Sequence, residues 1–220
     1  MGEKIFRFLL CCLLFNLFNA ASNPPRLSFV EQRSLLPIKL DVPVFSLATI
    51  NEDGTTNMNI VTYATQVGIK PKPVYAISLY KGTVTYENFI RTRKGALQLL
   101  PASAFNTVSL LGKQSGRDVD KMKLLKELTQ LCRIRLTEVG QENENDEIFV
   151  IQDSPMILIA EYSSHEYQPL DVGDHQVFLC DIVRSISVTN ENMGNTIDET
   201  GQQPSLPYLT TQVLRSMNII

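Results

Sequence analysis

The sequence is poor in the residues and motifs on which most catalytic sites are built. It has only two histidines, His165 and His175, and they do not form a pair at metal-ligand spacing. It contains no Cys-x-x-Cys pair, no Walker loop, no G-x-G-x-x-G segment after a strand and no nucleophile elbow. The sequence therefore gives no basis for a metal site, a P-loop, a Rossmann domain or a Ser-His-Asp triad, and a bound cofactor would have to carry any chemistry.

Cysteine is scarce, and half of it lies near the N-terminus. Of the four cysteines, Cys11 and Cys12 fall within the first 22 residues, which leaves Cys132 and Cys180 for the rest of the chain. A framework of disulfides is excluded, while a single bridge between the remaining two cysteines stays open. The chain also lacks an Asn-x-Ser/Thr sequon, so N-glycosylation is not expected.

Positive charge is not concentrated anywhere in the chain. Lys and Arg number 20 against 23 Asp and Glu, the formal net charge is −3, and the pI is about 5.5. The absence of a long basic stripe argues against nucleic acid as the main partner. With 44% hydrophobic and 20% charged residues, the chain is expected to form one globular domain with a sizeable core.

The N-terminus departs from this average. Charged residues at 3, 4 and 7 precede the apolar run FLLCCLLFNLF over residues 8 to 18, and small residues follow at 20 to 22. This order is the layout of a secretory signal peptide over residues 1 to 22, and the run is too short to span a bilayer as a mature helix. We therefore expect the leader to be removed and the mature form to have no membrane segment.

Residues 23 to 40 are either a polar linker or the second part of an organelle address, since SNPPRLSFVEQRSLLPIK at 22 to 39 is rich in basic residues. The expected destination is the secreted route, or an organelle such as a plastid that is reached through it. If the leader is not functional, the alternative is the cytoplasm.

Alternating apolar positions and turn residues predict a mainly β domain over residues 41 to 190, followed by a C-terminal tail over 191 to 220. The first three strands follow one another without a helix, which is typical of an antiparallel β domain. The predicted fold is a small, Greek-key-like antiparallel barrel with helices inserted between its fourth and fifth strands. Strands are predicted at 43–50, 55–67, 73–80, 95–101, 147–151, 155–167 and 175–188, and helices at 83–93, 102–112 and 119–131, the last capped by Asp118.

Three segments, in order along the chain, resemble the flavin reductase family. The run NMNIVTYATQVGIKPKPVYAISLYKGTVTYENFIRTRKGALQLL at 57 to 100 is similar to the strands and helix start of its FMN-binding split barrel. GKQSGRDVDK at 112 to 121 resembles the G-x-x-SGR-x-x-DK loop, and GDHQVFLCDIV at 173 to 183 resembles the GDH strand start. The resemblance covers roughly residues 41 to 190 and implies an FMN-binding split β-barrel.

The resemblance also implies where FMN would bind. A stretch of strand and loop would border the polar edge of the isoalloxazine ring, namely Asn59, Val61, Thr62, Tyr63, Ala64 and Thr65. A helix start with hydroxyls and a cation would hold the phosphate, namely Lys81, Gly82, Thr83, Thr85 and Tyr86. Arg117 and Lys121 would reach the phosphate or a dinucleotide. Without the resemblance, the same residues would be interpreted as a surface strand rich in threonine and an ordinary capped helix, with no binding role.

His175 is the one catalytic candidate. It resembles the GDH histidine, which implies a place near the flavin and the nicotinamide, where it would orient the reduced pyridine nucleotide or relay a proton. A histidine suits either role, because an imidazole can both donate and accept a proton near neutral pH. Alternatively, it is a polar residue that begins a strand. His165 has no counterpart in the resemblance and is expected to be structural.

The function implied is an FMN-containing oxidoreductase of the flavin reductase type. Hydride would pass from NAD(P)H to the flavin, and free flavin, a partner oxygenase or another acceptor would take the electrons. A homodimer is implied as well. The chain departs from the family pattern at Ile60, at Gly68 and over residues 132 to 170, so two alternatives stay open. One is a flavin-binding electron-transfer or sensor module without NAD(P)H turnover, and the other is an exported β-barrel interaction protein without a cofactor.

Overall fold

The computed structural model of the protein describes residues 40 to 137, 146 to 187 and 208 to 220. The predicted leader at 1 to 22, the segment from 23 to 39 and the part of the predicted tail from 191 to 207 lie outside the described residues. Within the described ranges, no helix is both long enough and apolar enough to cross a membrane.

Strands dominate these described ranges, and every strand pairing is antiparallel. The prediction of a mainly β, antiparallel fold is therefore confirmed. The strands are β1 Phe45–Ile50, β2 Thr56–Val61, β3 Ala64–Gly68, β4 Val74–Tyr80, β5 Lys94–Leu99, β6 Leu131–Arg135, β7 Glu147–Ile151, β8 Met156–Tyr162, β9 Leu170–Val172 and β10 His175–Ser187.

The main sheet curls into a half-barrel. Its strand order is β2-β1-β5-β8-β10-β4-β3, with β9 paired to β10, while β6 and β7 form a separate hairpin. The two ends of this order, β2 and β3, are joined along the chain by Thr62 and Tyr63 alone. Because two residues reach only a few ångströms, the two edges must come together, and the sheet must curl.

Four short α-helices and one 3₁₀ helix accompany the strands in the described ranges. Thr83 begins α1 as its N-cap and accepts a hydrogen bond from the Tyr86 backbone N–H at 3.2 Å. The predicted cap at Asp118 is wrong, because Asp120 caps α3 and accepts from the Lys123 N–H at 3.0 Å. The helices are α1 Val84–Thr92, the 3₁₀ helix Ala102–Thr107, α2 Val108–Lys113, α3 Lys121–Leu128 and α4 Thr211–Ser216.

Two predicted elements divide or shorten in the structure. The single strand predicted at 55 to 67 is two strands, since the chain leaves β2 after Val61 and enters β3 at Ala64. The helix predicted at 119 to 131 stops at Leu128, because Leu131 already pairs with Ile151 in the β6–β7 hairpin. Strands β6 and β9 were not predicted.

Two hydrophobic clusters form the core. One is aromatic: the rings of Phe89 and Tyr162 each meet Phe178 edge-on at 5.3 Å between centroids. The other is aliphatic and includes Leu209 and Leu214 from the C-terminal segment, both fully buried. The end of the predicted tail is thus packed against the domain.

Candidate functional site

A cavity of about 220 Å³ lies at the start of α1. Three segments build it: β2, the turn from Tyr80 into α1, and the loop that follows α2. Polar and glycine residues dominate its wall, which is formed by Asn57, Asn59, Tyr80, Gly82, Thr83, Val84, Thr85, Gly112, Lys113, Gln114, Ser115, Gly116 and Lys121. We call this the hydroxyl-lined cavity.

Two hydrogen bonds, one of them buried, fix the wall of the hydroxyl-lined cavity. The Asn57 side-chain amide donates to Thr85 Oγ1 at 2.8 Å, and both residues are buried. The Thr83 hydroxyl donates to the Tyr80 carbonyl at 2.9 Å, which ties the α1 cap to the end of β4. The first turn of α1 directs its backbone N–H groups toward this end, an arrangement that favours an anion.

Two glycines let the backbone approach closely at this cavity. A Cβ on Gly116 would lie 2.5 Å from Asn57 Oδ1, and a Cβ on Gly82 would lie 2.7 Å from the Tyr80 ring. The Asn57 side chain is buried and donates to Thr85, so a side chain at position 116 would force the loop to move, whereas the half-exposed Tyr80 ring can turn away from a side chain at position 82. Glycine is therefore required by space at position 116, and the loop sits against β2 and α1 as a cradle.

Lys121 closes the floor of the hydroxyl-lined cavity. Its Nζ donates to the carbonyls of Leu111 at 2.9 Å and Met58 at 3.3 Å, and only 5% of the residue is exposed. Burial without a carboxylate partner lowers the pKa of Lys121 to about 8. The ammonium thus links α2, α3 and β2 beneath the cavity.

A second cavity of about 320 Å³ lies along the outer face of β3 and β4. Its wall is more apolar, and it contains four of the residues that the resemblance assigned to the flavin ring. The lining residues are Val42, Pro43, Thr62, Tyr63, Ala64, Thr65, Ala76, Ser78 and Val177. We call this the apolar cavity.

A cluster of three rings lies between the two cavities. The His175 ring is 5.8 Å from Tyr63, which lines the apolar cavity, and 5.5 Å from Tyr80, which lines the hydroxyl-lined cavity. Strand register explains this placement, since His175 is directly opposite Tyr80 in the β10–β4 ladder. The cluster joins the two cavities into one polar-to-apolar surface.

Asp174 orients the His175 ring. The His175 Nδ1 is 2.7 Å from Asp174 Oδ1, and this hydrogen bond lowers the pKa of Asp174. An ionised carboxylate only accepts, so Nδ1 carries the proton and Nε2 of the neutral ring is left as an acceptor.

Not every predicted site residue lines a cavity. Lys81 binds β9 and the turn after it instead, through Asp171 Oδ1 at 2.7 Å and the Gly173 carbonyl at 2.7 Å. Tyr86 points away from the hydroxyl-lined cavity and donates to Gln176 Oε1 at 3.1 Å. Val61 is buried in the aromatic cluster.

Arg117 borders the hydroxyl-lined cavity without lining it. Its guanidinium donates to the Gly82 carbonyl at 3.0 Å and to Glu87 Oε1 at 2.5 Å. The structure thus brings Asn59, Gly82, Thr83, Thr85 and Lys121 together in one cavity and Thr62, Tyr63, Ala64 and Thr65 in the other.

Sequence reasoning did not single out Asn57, Tyr80 or the loop residues 113 to 116 as site residues. The signal for the loop was present, because GKQSGRDVDK contains it. Asn57 carried no such signal, since its partner Thr85 is 28 residues away along the chain. Among the described residues, no group of three or more His, Cys, Asp or Glu side chains is placed to hold a metal ion.

The chain belongs to the flavin reductase family: the sequence model described as "Flavin reductase like domain" matches residues 39 to 206. No curated protein sequence matches the chain significantly. The prediction of the family from the three motifs is therefore confirmed.

Solved structures share the fold at low sequence identity. Flavoredoxin from Methanosarcina acetivorans is 16% identical with a TM-score of 0.59, over 84% of this chain and 92% of its own. The FMN-binding protein from Thermus thermophilus with bound 1-cyclohex-2-enone is 17% identical with a TM-score of 0.57, over 79% and 86%. An NADH:FAD oxidoreductase from Streptomyces globisporus is 15% identical with a TM-score of 0.52, over 68% and 77%. The likeness confirms the predicted split-barrel fold.

Proposed function

We propose that this protein is an FMN-binding oxidoreductase of the flavin reductase type that takes hydride from NAD(P)H. One observation carries the proposal: the hydroxyl-lined cavity and the apolar cavity meet at the rings of Tyr63, His175 and Tyr80. A molecule with an anionic end and a flat, largely apolar ring system fits such a surface. FMN has this composition.

The hydroxyl-lined cavity would hold the phosphate of FMN. Its cradle is formed by the loop at Gly116, where a side chain would meet the buried Asn57 amide, and the start of α1 supplies backbone donors. Thr85 and Asn59 add polar side chains to the same wall. Lys121 would attract the phosphate by its charge rather than by direct contact, because its ammonium donates to two backbone carbonyls beneath the cavity.

The apolar cavity and the ring cluster would hold the isoalloxazine. When bound, the flavin supplies the hydride acceptor, which no side chain of the chain provides. Thr62 to Thr65 offer backbone groups and hydroxyls for the polar ring edge, while Ala76 and Val177 give an apolar surface. The residues present fit the group.

His175 would face the pyridine nucleotide. The Nδ1 atom is held by Asp174 at 2.7 Å, so Nε2 faces the substrate. There Nε2 would accept a hydrogen bond, or take up and release a proton. Tyr63, which is 64% exposed, and Tyr80 flank the histidine and would exclude water once a ligand covers them. The electrons would pass on to free flavin, to a partner oxygenase or to another acceptor.

We propose further that a second copy of the chain covers the outer face of β3, β4, β9 and β10. Large apolar side chains are exposed on these strands, including Val67, Leu170 and Val172, and Tyr63 is exposed just before β3. Such exposure is unusual on a monomer. Light scattering of the purified protein tests the homodimer. A monomer that persists at micromolar concentration with FMN bound would contradict it.

The predicted leader remains part of the proposal. We propose that residues 1 to 22 direct the chain into the secretory route, and the support is the order of charged head, apolar run and small residues. N-terminal sequencing of the protein recovered from its host tests this. A mature protein that still begins at Met1 in the cytoplasm would contradict it.

The central test is an absorption spectrum of the chain purified without residues 1 to 22, first with FMN and then with NADH under anaerobic conditions. Bleaching of the bound flavin supports the proposed reductase. A flavin that binds but stays oxidised with both NADH and NADPH leaves the electron-transfer module as the function. If no flavin binds, the proposal fails.

A further inference from the structure

Lys81 makes four hydrogen bonds to the short segment at residues 171 to 174, which leads into His175 and which we call the histidine turn. Its ammonium donates to both carboxylate oxygens of Asp171 at 2.7 Å and to the Gly173 carbonyl at 2.7 Å. Its backbone N–H donates to the Asp174 carbonyl at 3.0 Å. Because an ammonium has three donors, these contacts use all of them. The Lys81 side chain therefore serves the histidine turn and has no donor left for a phosphate.

The histidine turn is an exposed part of the chain. All three residues of β9 are exposed, and so is 74% of the Asp174 side chain. Gly173 has a φ of 59°, and a Cβ added there would meet no atom within 4 Å among the described residues. Exposed turns of this kind move unless specific contacts fix them. The bonds from Lys81 therefore add to the β9–β10 pairing the contacts that fix where Asp174 lies.

The position of Asp174 in turn determines how the His175 ring is held. His175 Nδ1 is 2.7 Å from Asp174 Oδ1. This hydrogen bond lowers the pKa of Asp174, and the positive charge of Lys81 lowers it further. The carboxylate that fixes the proton on Nδ1 thus stands on the segment that Lys81 holds. If the segment moved, the ring would lose its oriented partner.

Lys81 also connects the histidine turn to the phosphate end of the site. Its neighbours in the chain, Tyr80, Gly82 and Thr83, line the hydroxyl-lined cavity, while the Lys81 side chain extends to Asp171. The Thr83 hydroxyl donates to the Tyr80 carbonyl at 2.9 Å, which closes the turn that carries Lys81. A single backbone turn therefore shapes the wall of the cavity and holds the segment beside the histidine.

We infer that Lys81 is a positioning residue for His175. It holds the histidine turn against the end of β4, and through Asp174 it fixes the His175 ring in the orientation that the pyridine nucleotide meets. This inference rests on the proposed function for the reaction that the ring serves, and it replaces the predicted contact between Lys81 and the phosphate of FMN. Lys81 then affects the rate of flavin reduction and not the affinity for FMN.

The first experiment observes the His175 ring without flavin. Nitrogen-15 NMR at about pH 8, where an ordinary imidazole is neutral, distinguishes a proton on Nδ1 from one on Nε2. The chain has two histidines, so in an untagged His165→Ala background the spectrum reports His175 alone. We expect the Nδ1–H form in this background and a mixture of both forms after Lys81→Met. Lys81→Arg should restore the Nδ1–H form, because a guanidinium also donates two bonds to one carboxylate. An Nδ1–H form that persists in Lys81→Met overturns the inference.

The second experiment measures flavin reduction in the FMN-loaded protein by stopped flow. At saturating NADH, Lys81→Met should reduce flavin about tenfold more slowly, because a misplaced group loses much of its effect on rate. In a His175→Ala background, Lys81→Met should slow reduction no further, since Lys81 acts through that ring. Lys94→Met is the matched control. The Lys94 side chain is 29% exposed against 32% for Lys81 and pairs with Glu161 at 3.6 Å, but it lines neither cavity.

Three results would overturn the inference. One is equal slowing in Lys94→Met, and another is an independent tenfold loss from Lys81→Met in the His175→Ala background. The third is an FMN affinity that falls in Lys81→Met, since this would support the phosphate contact instead. An unmodified protein that does not bind FMN, or whose flavin is not reduced by NADH or NADPH, is a different result. It refutes the proposed function, while the NMR experiment still tests the part of Lys81.

Discussion

The two ends of the candidate site differ in what holds them in place. At the phosphate end, Asn57, Thr85 and Lys121 are buried. The Asn57 amide donates to the Thr85 hydroxyl, and the Lys121 ammonium donates to the Leu111 carbonyl. At the ring end, Tyr63 and Tyr80 are half or more exposed, and the ring of each packs against the His175 ring. The fold alone therefore preorganises the phosphate end, while the ring end is completed by whatever covers it.

The largest effect should come from the ring end and concern rate rather than binding. We expect His175→Ala to slow flavin reduction by NADH by about 100-fold, because a positioned proton-transfer group contributes about that much. FMN affinity should change little, since His175 does not line the hydroxyl-lined cavity. Stopped-flow reduction and fluorescence titration measure the two quantities.

The other histidine provides the control for this comparison. His165 lies outside the residues that line either cavity, so His165→Ala should reduce flavin at the normal rate. An unchanged reduction rate in His175→Ala would show that His175 has no part in flavin reduction. A reduced FMN affinity in the same variant would show that FMN binding also depends on the ring end.

The next largest effect should come from the phosphate end and concern binding. In Gly116→Ala the new Cβ would lie 2.5 Å from Asn57 Oδ1, so the loop must move away from β2. We expect FMN affinity to fall by at least about tenfold, because a displaced cradle loses oriented donors to a charged phosphate. Titration of flavin fluorescence gives the dissociation constant.

Gly112→Ala is the matched control, because this glycine lines the same cavity and its Cβ would meet only Ile60, at an ordinary 3.4 Å. Its FMN affinity should be close to that of the unmodified chain. Equal losses of FMN affinity in the two variants would show that any methyl group added to the cavity weakens binding. The close approach of Gly116 to Asn57 would then not matter for binding.

Stability should distinguish the two ends as well. Thr85→Val leaves the buried Asn57 amide without its acceptor and should lower the unfolding free energy by about 1–3 kcal/mol. Thr85→Ser retains the accepting hydroxyl and should lower it much less. Tyr63→Ala at the exposed ring end should stay within about 0.5 kcal/mol. Urea denaturation measures all three variants. A Tyr63→Ala variant that is destabilised as much as Thr85→Val would contradict the contrast between the ends.

The sequence predicted the parts of the phosphate end that depend on local chemistry. A threonine before a helical pattern predicts the N-cap of α1 at Thr83 or Thr85, and the structure has it at Thr83. The end of β4 at Tyr80 follows from the Lys-Gly pair after it. The contact between Asn57 and Thr85 depends on how β2 packs against α1, which local patterns do not specify. The family resemblance indicated which segments form the phosphate end, but it did not predict the contact between Asn57 and Thr85.

Strand β6 was missed for a related reason. Leu128 and Leu131 continue the helical spacing of α3, so the periodicity favoured a longer helix. Pairing of Leu131 with Ile151, twenty residues further on, overrides this local preference. Strand β9 has three residues only, and it is recognisable solely through its pairing with β10.

The smallest effect concerns Lys121 beneath the phosphate end, and its sign follows from the lowered pKa. Burial lowers the pKa of Lys121 to about 8, while in the unfolded chain it is near the ordinary 10.5. Between these values the unfolded chain binds more protons than the folded one, so the penalty for a buried charge is complete below pH 8 and fades as the pH rises toward 10.5.

We therefore expect the unfolding free energy of the unmodified chain, relative to Lys121→Met, to rise by about 1 kcal/mol from pH 8 to pH 9. Taking the difference between the two chains cancels the titration of other groups. Urea denaturation at both pH values measures it. A constant difference would mean that the ammonium keeps its ordinary pKa, and that the phosphate end contains a solvated cation instead of a buried one. The two ends of the site would then be equally open, and the contrast between them would rest on Asn57 and Thr85 alone.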